Sequence, residues 1–310
     1  MTATRKSLQS FADMALNPEV NRLSLESKIE QNLIPDCPDD HSTQRHIDGL
    51  QKIGTWCYYY QKFVSWWAEN THNGLKSVPF SIFRKGNGKL PCWSFSTCPG
   101  KYCPGAGDCL NWCYSFKAWR YPAAYFRQVQ NLLLVRNRPD IVRQAFQNLP
   151  QEQTVRLYVD GDFDSLTTMI FWFETMQLRP DLQVYGYSKS WKLFLDYDKL
   201  GRRWPTNYTL NLSSGSKYPK TMVKLLEKLP IPTGEFLALP AASKMPARRT
   251  EPAKWSAWAK ALKDTAKRAG IHKSFVCPGK CGDCLPKGAH ACGSKKFRGT
   301  NSIPVLIGIH

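Results

Sequence analysis

The sequence lacks any apolar run of about 18 residues, the length that a membrane-spanning helix needs, so it predicts no such span and no membrane partner. Its first residues contain neither a long apolar stretch nor an evident cleavage site, and we therefore expect a cytoplasmic protein without a secretory leader. No phosphate-binding loop, dinucleotide-binding glycine motif or Ser/His/Asp triad is evident, which disfavours ATP-driven and nicotinamide-dependent chemistry.

Acidic residues are scarce: 24 Asp and Glu stand against 43 Lys and Arg, and the net charge is +19. The excess is uneven, because residues 1–90 contain 11 basic and 9 acidic residues, whereas residues 241–300 contain 14 and 3. A positive field concentrated in one part of the chain predicts a polyanionic partner, most often nucleic acid. The alternative is a generally soluble basic surface. The sequence identifies no protein partner.

Cysteine, in contrast, is abundant, and eight of the 11 cysteines form two quartets. The first quartet is spaced C-x4-C-x5-C-x3-C and consists of Cys98, Cys103, Cys109 and Cys113. The second quartet is spaced C-x3-C-x2-C-x7-C and consists of Cys277, Cys281, Cys284 and Cys292. Clustered cysteines in the cytosol are more often metal ligands than disulfides, so we expect metal centres in the loops 98–113 and 277–292.

The spacing of each quartet bears on the metal. The first lacks the paired C-x2-C knuckles of zinc sites, and its wider gaps favour an iron–sulfur cluster. The second contains the C-x3-C-x2-C spacing found around the radical-SAM cluster, but its one C-x2-C pair leaves zinc open, with His290 as an alternative ligand to Cys292. We predict two [4Fe–4S] clusters, with zinc as the alternative, especially at the second quartet.

Hydrophobic patterning predicts an α/β protein, with a helical N-terminal extension over residues 1–85 and a second region over 86–310. Predicted strands cover 90–96, 154–160, 182–188, 208–213, 234–240, 273–277 and 303–309. Predicted helices cover 112–147 in two pieces, 164–178 with Asp164 or Ser165 as its cap, 191–199, 218–229 and 253–269. This alternation predicts a mostly parallel sheet, as a full or partial TIM-like β/α barrel, with an open doubly wound sheet as the competitor.

Four segments carry distinctive motifs: TCPGKYCPGAGDCLNWCYSFKAWRYPAAYFRQVQN, VRLYVDGDF, YGYSKSW and CPGKCGDC. With them the chain resembles the gene-product-eighty-eight family of phage and mobile-element proteins, over roughly residues 90 to 295. The layout of that family is similar to that of radical-SAM proteins, with cysteines after a first strand and a carboxylate after a later one. The resemblance implies a radical-SAM-like enzyme, with SAM as a candidate co-substrate.

The chain departs from the radical-SAM pattern in its cysteine loops. The loop after the first predicted strand has four cysteines, and the C-x3-C-x2-C triplet lies near the C-terminus instead. If four cysteines hold one [4Fe–4S] cluster, no iron is free to chelate SAM. A three-cysteine mode, with Cys98 or Cys103 spare, would restore that chemistry.

Other candidate site residues follow the predicted strands, where ligands of β/α proteins bind. Asp160 and Asp162 end the second predicted strand and would bind a substrate amine or act as a general base, unless they are turn or cap residues. Lys189 follows the third and would meet a phosphate or carboxylate, unless it is simply solvated.

Basic residues near the C-terminus are candidates for binding the nucleic-acid backbone. They flank the second quartet and comprise Arg248, Arg249, Lys295, Lys296 and Arg298. No motif for base-specific recognition is visible. The sequence thus predicts a cytosolic iron–sulfur protein, an enzyme of radical-SAM-like type acting on nucleic acid. The alternative is a non-catalytic nucleic-acid-binding accessory or regulatory protein whose iron–sulfur or zinc sites are structural.

Overall fold

The computed structural model describes residues 8–9, 12–13, 55, 58–67, 74–86, 89–119, 121–284, 291–294, 298 and 302–309. Residues 58–67 are helical, and the rest of the predicted N-terminal helical extension before residue 74 lies largely outside the described residues. The α-helices with described bounds are α1 (Ser115–Ala118), α2 (Pro122–Asn137), α3 (Pro139–Gln147), α4 (Leu166–Gln177), α5 (Trp191–Lys199), α6 (Val223–Leu226) and α7 (Pro252–Arg268). None of these described helices is both long and apolar enough to cross a membrane.

In the part of the chain that the structure describes, eight strands form one sheet in the order β1-β2-β3-β4-β5-β6-β8-β7. They are β1 (Arg84–Lys85), β2 (Trp93–Ser94), β3 (Thr154–Leu157), β4 (Gln183–Ser188), β5 (Tyr208–Ser213), β6 (Thr233–Pro240), β7 (Phe275–Val276) and β8 (Val305–Ile309). Only the pair β1–β2 is antiparallel among the described strands. The predicted α/β class and mostly parallel sheet are therefore confirmed.

The strand order bears on the predicted barrel. From β2 to β6 consecutive strands are neighbours, as in a β/α barrel, without the reversal of order that a doubly wound sheet shows. In the described residues, however, no strand pairing joins β1 to β7, so closure of the sheet is not observed. The loop after β7 reaches the β1–β2 connection by one backbone bond, from the Cys281 N–H to the Lys89 carbonyl at 2.8 Å. The full or partial β/α barrel stays a prediction.

The sheet has two different faces, because successive side chains of a strand point to opposite sides. One, here called the helix face, carries Tyr208, Leu237, Val276 and Leu306. Phe173 of α4 packs on Tyr208 with 5.5 Å between ring centroids. The other three form a buried cluster with residues of α7, namely Ala259, Leu262 and Ala266. This face supplies the apolar core of the sheet.

The opposite face, here called the loop face, is polar. In the strand register Arg156 is opposite Tyr185, and Tyr187 is opposite Asn211, which in turn is opposite Gly234. On this face the Asn211 amide donates to the carbonyl of Cys292 at 2.9 Å, so the segment after β7 lies here.

By its contacts the chain divides into two compact units. The first comprises Met1–Ile82, Ser96–Pro99 and Cys113–Asn148, and the second Phe83–Phe95, Gly100–Trp112 and Leu149–His310. The first unit thus includes α1 to α3, which the prediction assigned to the region after residue 85. Within it, the buried Gln130 side chain accepts from the Phe80 N–H at 2.9 Å and donates to the Phe80 carbonyl at 2.8 Å. The second unit contains the whole sheet.

Candidate functional site

The second quartet lies entirely in the second unit, and its first members are held by the backbone. The Cys277 N–H donates to the Leu306 carbonyl at 2.9 Å and so extends the β7–β8 ladder. The Gly279 N–H points back to the Cys277 sulfur at 3.4 Å, and Gly279 adopts a φ of 85° that favours glycine. The chain therefore turns sharply after Cys277, which brings the next cysteines back toward the sheet.

The thiols of the second quartet are electrostatic neighbours. The pKa of Cys277 is raised to about 12, mainly by burial. Three other thiols contribute to this rise, namely Cys292, Cys281 and Cys284. Burial also raises the pKa of Cys281, against the positive charge of Arg156. At neutral pH the thiols of Cys277 and Cys281 therefore hold their protons, which a metal would have to displace.

The neighbouring thiols do not form a finished coordination shell. In the part of the chain that the structure describes, no three His, Cys, Asp or Glu side chains are placed to hold a metal ion. His290, the predicted alternative ligand, lies outside that part. Metal binding by this quartet stays a prediction.

Two tyrosines of β4 connect the sheet to the thiols. Burial raises the pKa of Tyr187 well above its usual value, and the neighbouring Cys292 raises this pKa as well. The Tyr185 hydroxyl lies 3.8 Å from the sulfur of Cys92, and Tyr185 lowers the pKa of Cys281. Both hydroxyls are therefore neutral groups next to sulfur at neutral pH.

Arg298 was predicted to bind nucleic acid, but its side chain is buried, with 5% of its surface exposed. Its Nη2 donates to the Cys292 sulfur at 3.6 Å and its Nη1 to the Ile303 carbonyl at 3.0 Å, while its Nε has no hydrogen-bond partner. A Cβ at residue 234 would lie 2.5 Å from the Arg298 side chain, so Gly234 lets the arginine approach β6 closely. In this position the guanidinium faces sulfur instead of solvent.

Of the other four predicted basic residues, two lie in the part of the chain that the structure describes and two lie outside it. Arg249 forms an ion pair with Asp283 at 3.0 Å, and Arg248 donates to the Asp283 carbonyl at 3.2 Å. Both arginines are exposed, and Asp283 lies between two cysteines of the second quartet. They attach the basic segment to the cysteine loop and leave their outer surfaces to solvent. Lys295 and Lys296 lie outside the described residues.

The first quartet is divided between the units: Cys98 and Cys113 belong to the first, and Cys103 and Cys109 to the second. Within the second unit its loop is fixed to the ends of β4 and β5. A Cβ at residue 105 would lie 1.6 Å from the Lys189 carbonyl oxygen, which explains the glycine in the CPGA motif. The Cys109 N–H also donates to a backbone carbonyl after β5, at 3.2 Å. A cluster on this quartet stays a prediction.

Asp162 lies at the junction of the turns after β3 and β4. Its side chain is 4% exposed, and its carboxylate accepts four hydrogen bonds. The donors are the Phe163 N–H at 2.8 Å, the Ser188 hydroxyl at 2.7 Å, the Lys189 N–H at 2.7 Å and the Ser190 N–H at 3.2 Å. Burial raises the pKa of this carboxyl, although the hydrogen bonds oppose that shift. These contacts give Asp162 a positioning role beside its predicted catalytic one.

Lys189 is the residue that this junction positions. Its Nζ donates to the Ser213 hydroxyl at 2.8 Å and lies 5.9 Å from the ring centroid of Trp112. Asp160 is partly buried two residues before Asp162. The structure thus brings Asp162 and Lys189 together at the carboxyl ends of neighbouring strands, while their chemical roles stay predictions.

Cys92 and Arg156 are neighbours of the second quartet that the sequence analysis missed. Cys92 is 5% exposed and precedes β2, and Arg156 lies 4.5 Å from the ring centroid of Tyr187. The alternation of polar and apolar residues around Trp93 could have placed Cys92 on the loop face. No local signal connects it to cysteines almost two hundred residues away.

The comparisons with known proteins agree with the motifs. The family model described as Gene product 88 matches residues 67–301, about three quarters of the chain, and this match contains both quartets. No curated protein and no solved structure matches the chain. The resemblance found in the sequence is thereby confirmed, and the chain belongs to the Gene product 88 family.

Proposed function

We propose that the second quartet holds a thiolate-ligated metal centre, a [4Fe–4S] cluster with zinc as the alternative, in a radical-SAM-like enzyme that acts on nucleic acid. The observation that supports this proposal is a buried arginine, Arg298, that donates to the sulfur of one quartet member and has an Nε without a hydrogen-bond partner. The other three thiols of the quartet all act on the pKa of Cys277. Arg298 donates its Nη2–H to the sulfur of one of them, Cys292.

The charges of the loop face fit an anionic centre. A metal bound by four thiolates is anionic, and burying charge is costly unless an opposite charge lies close. Arg298 provides a buried guanidinium whose Nε has no hydrogen-bond partner. Arg156 adds a second positive charge that acts on Cys281. The donor set and its surroundings thus suit either metal centre.

The protein's own residues would have three tasks in such an enzyme. The Tyr187 hydroxyl and Arg298 would hold Cys292 in place, and the Asp162 junction would orient Lys189. The Lys189 ammonium would bind a phosphate or carboxylate of the substrate at the carboxyl ends of the strands. A [4Fe–4S] cluster, when bound, would supply one-electron chemistry.

The nucleic-acid part of the proposal rests on charge. Arg248 and Arg249 are exposed beside the second quartet, in a segment with 14 basic and 3 acidic residues over 241–300. A groove of about 370 Å³ next to β7 is lined in part by Lys260 and Lys263 of α7. Such cations would contact the phosphate backbone and make binding depend strongly on salt.

One observation favours the second candidate, a non-catalytic nucleic-acid-binding protein. The four donors around Asp162 are all groups of the protein, which leaves its carboxylate engaged in structure. Incubating the anaerobic, reduced protein with SAM separates the candidates. Reductive cleavage of SAM supports the enzyme. Salt-dependent nucleic-acid binding without cleavage of SAM favours the accessory protein.

The metal proposal is tested by a paired-cysteine variant. The full-length protein and its Cys277→Ser/Cys284→Ser variant are purified without oxygen and analysed for iron, sulfide and zinc. We expect the variant to lose the metal of one centre, because two of four ligands are gone. The matched control is Cys37→Ser, which removes a cysteine of neither quartet and should leave the metal content unchanged. Undiminished metal in the double variant would remove the second quartet from the proposal.

A further inference from the structure

A groove of about 370 Å³ lies between α7 and β7, the last strand in the order of the described sheet. The helix lines it with Trp255, Ala259 and two lysines, Lys260 and Lys263, and the strand lines it with Val276. Ala259 and Val276 belong to the buried apolar cluster between α7 and the sheet, whereas both lysines are exposed. The groove thus combines an apolar interior with two cations.

The charges on α7 leave these two lysines for an anion from outside the chain. The acidic residues that flank them in the sequence are engaged elsewhere: Glu251 pairs with Lys254 at 2.7 Å, and Asp264 pairs with Lys267 at 3.7 Å. Within the part of the chain that the structure describes, the two groove lysines have no carboxylate partner. They are three residues apart on one helix and repel each other, so a phosphate beside them would be stabilising.

Backbone groups of β7 are also available to a ligand. The N–H groups of Phe275 and Cys277 donate to the carbonyls of Pro304 and Leu306, each at 2.9 Å. Because alternate residues of a strand bond toward opposite sides, the N–H and C=O of Val276 point away from β8. No strand of the described sheet lies on that side. One donor and one acceptor therefore face outward next to the groove.

The shortness of β7 decides which ligand fits. A peptide that extends a sheet gains affinity from a row of main-chain hydrogen bonds, but β7 has two residues, of which one faces outward. An unpaired nucleobase needs only a few hydrogen bonds along one edge and an apolar surface for its ring. The bases of a duplex are already paired and stacked. The groove therefore fits a single strand with one base turned out of the stack.

We propose that this groove holds one unpaired base of a single-stranded nucleic acid. The edge of the base would bond to the Val276 backbone, and the adjoining phosphates would contact Lys260 and Lys263. Further phosphates would meet the exposed Arg248, whose guanidinium lies 4.9 Å from the ring centroid of Trp255. The proposal rests on the nucleic-acid binding proposed above and is independent of the metal centre.

Fluorescence anisotropy of the full-length protein tests the base contact with three labelled probes. They are a single-stranded oligodeoxynucleotide, the same strand made of abasic sites, and a duplex of the same sequence. The two strands carry the same phosphates, so the difference between their affinities reports the bases. We expect the wild type to bind the intact strand at least about fivefold more tightly than the abasic strand, the lower end of what one base contact contributes.

A groove-filling variant locates that contact. Ser256→Leu adds apolar volume at an exposed residue that lines the groove, and Ala257→Leu, the matched control, does so at the next exposed residue, which does not line it. Ser256→Leu should abolish the preference for the intact strand and leave duplex binding unchanged. Ala257→Leu should behave like the wild type.

A charge variant tests the phosphate contacts. Lys260→Ala/Lys263→Ala should lower the salt dependence of single-strand binding by about 1.4 units of slope, since each phosphate contributes about 0.7. The control Lys254→Ala/Lys267→Ala removes the same charge from ion-paired lysines of the same helix and should change the slope less. Should Ser256→Leu not fold, this pair of variants decides, and equal slopes in both would overturn the proposal.

The outcomes separate the groove from the proposed function. If the wild type binds none of the probes, nucleic-acid binding itself fails, and the groove proposal fails with it. If it binds both strands equally, or if Ser256→Leu and Ala257→Leu keep the same preference, nucleic-acid binding stands and only the groove proposal fails. A poly-glutamate peptide that displaces the strand from the wild type but not from Ser256→Leu would assign the groove to an acidic peptide instead. A free nucleoside monophosphate that competes as strongly as the strand would overturn the choice of a strand.

Discussion

The two faces of the sheet are made by alternating residues of the same strands, yet they differ in almost every physical respect. The helix face is apolar and is packed by helices, as Tyr208 is by Phe173 and Leu306 by α7. The loop face carries Arg156, Tyr185 and Asn211 and is covered in part by the segment that contains Cys292. Adjacent residues in one strand thus serve two purposes.

The difference teaches that stability and chemistry are assigned to different sides of the fold. Burial of apolar surface is the main source of stability, and it is concentrated on the helix face. The loop face instead gathers sulfur, hydroxyl and guanidinium groups that gain little from burial alone. We therefore expect substitutions on the helix face to change unfolding, and those on the loop face to change metal binding.

The largest effect should come from Trp172 in the helix-face core. Its side chain is fully buried and packs on Phe95 with 4.8 Å between ring centroids. Its indole N–H donates to the Tyr158 hydroxyl at 2.9 Å. Trp172→Ala should lower the free energy of unfolding by about 3–5 kcal/mol, because it leaves a cavity and an unpaired hydroxyl. Urea denaturation measures this, with Trp172→Phe as the milder control. The metal content per folded chain should stay unchanged; a parallel loss would contradict the separation of the faces.

The pH dependence of metal binding should be the next largest effect. The pKa of Cys277 is raised from 9.0 to about 12, so metal must displace its proton. Cobalt affinity should rise about tenfold per pH unit for each proton released, below pH 9. In the metal-free protein the neutral thiol stabilises the fold below pH 9.0, and this contribution is lost as pH rises through about 12, since the unfolded chain ionises first. A cobalt affinity independent of pH would refute this account.

Replacing Arg298 should have opposite effects on two quantities: the stability of the metal-free protein and its affinity for metal. Arg298→Met removes a buried guanidinium, so the metal-free protein should unfold at equal or higher denaturant concentration. Metal affinity should fall about tenfold, as is typical when a group that orients a ligand is lost. Paired denaturation and cobalt titrations measure both quantities. The exposed Arg268 of α7 provides the control variant Arg268→Met, and equal effects of both substitutions would argue against the charge-balance role.

The smallest change in stability should follow substitution of Arg249, whose side chain is 72% exposed. Arg249→Ala should cost at most about 1 kcal/mol of unfolding free energy, because exposed ion pairs contribute little. If Arg249 contacts a phosphate, the salt dependence of nucleic-acid binding should lose about one unit of slope. Filter binding at several salt concentrations measures it, with Lys254→Ala, in the first turn of α7, as the control. An unchanged slope would place the contact elsewhere.

Local patterns predicted most of the fold. The helix over 191–199 and the strand over 208–213 have the predicted bounds, and Ser165 caps α4 by accepting from the Thr168 N–H at 3.1 Å. These features depend on apolar periodicity and on one hydroxyl, both visible within a few residues. The two-residue strand β1 was missed because two exposed residues carry no alternation.

The candidate site could be predicted only in part. Both quartets follow from cysteine spacing, and the match of the Gene product 88 model covers them. The positions of Cys92 and Arg298 could not be predicted, since both depend on contacts with residues far away in the sequence. A buried arginine next to sulfur also violates the ordinary expectation that arginine is exposed. The burial of Arg298 is explained only by its contacts on the loop face, which the three-dimensional structure shows.

The most direct test of the metal centre is X-ray absorption at the edge of whichever metal the anaerobically purified, full-length protein contains. The account predicts a first coordination shell of sulfur, at about 2.3 Å if the metal is zinc, with an additional iron–iron shell if it is a cluster. The sulfur signal should weaken in Cys277→Ser/Cys284→Ser and persist in Cys37→Ser. A shell of oxygen and nitrogen, or a protein without stoichiometric metal, would contradict a thiolate centre on the loop face.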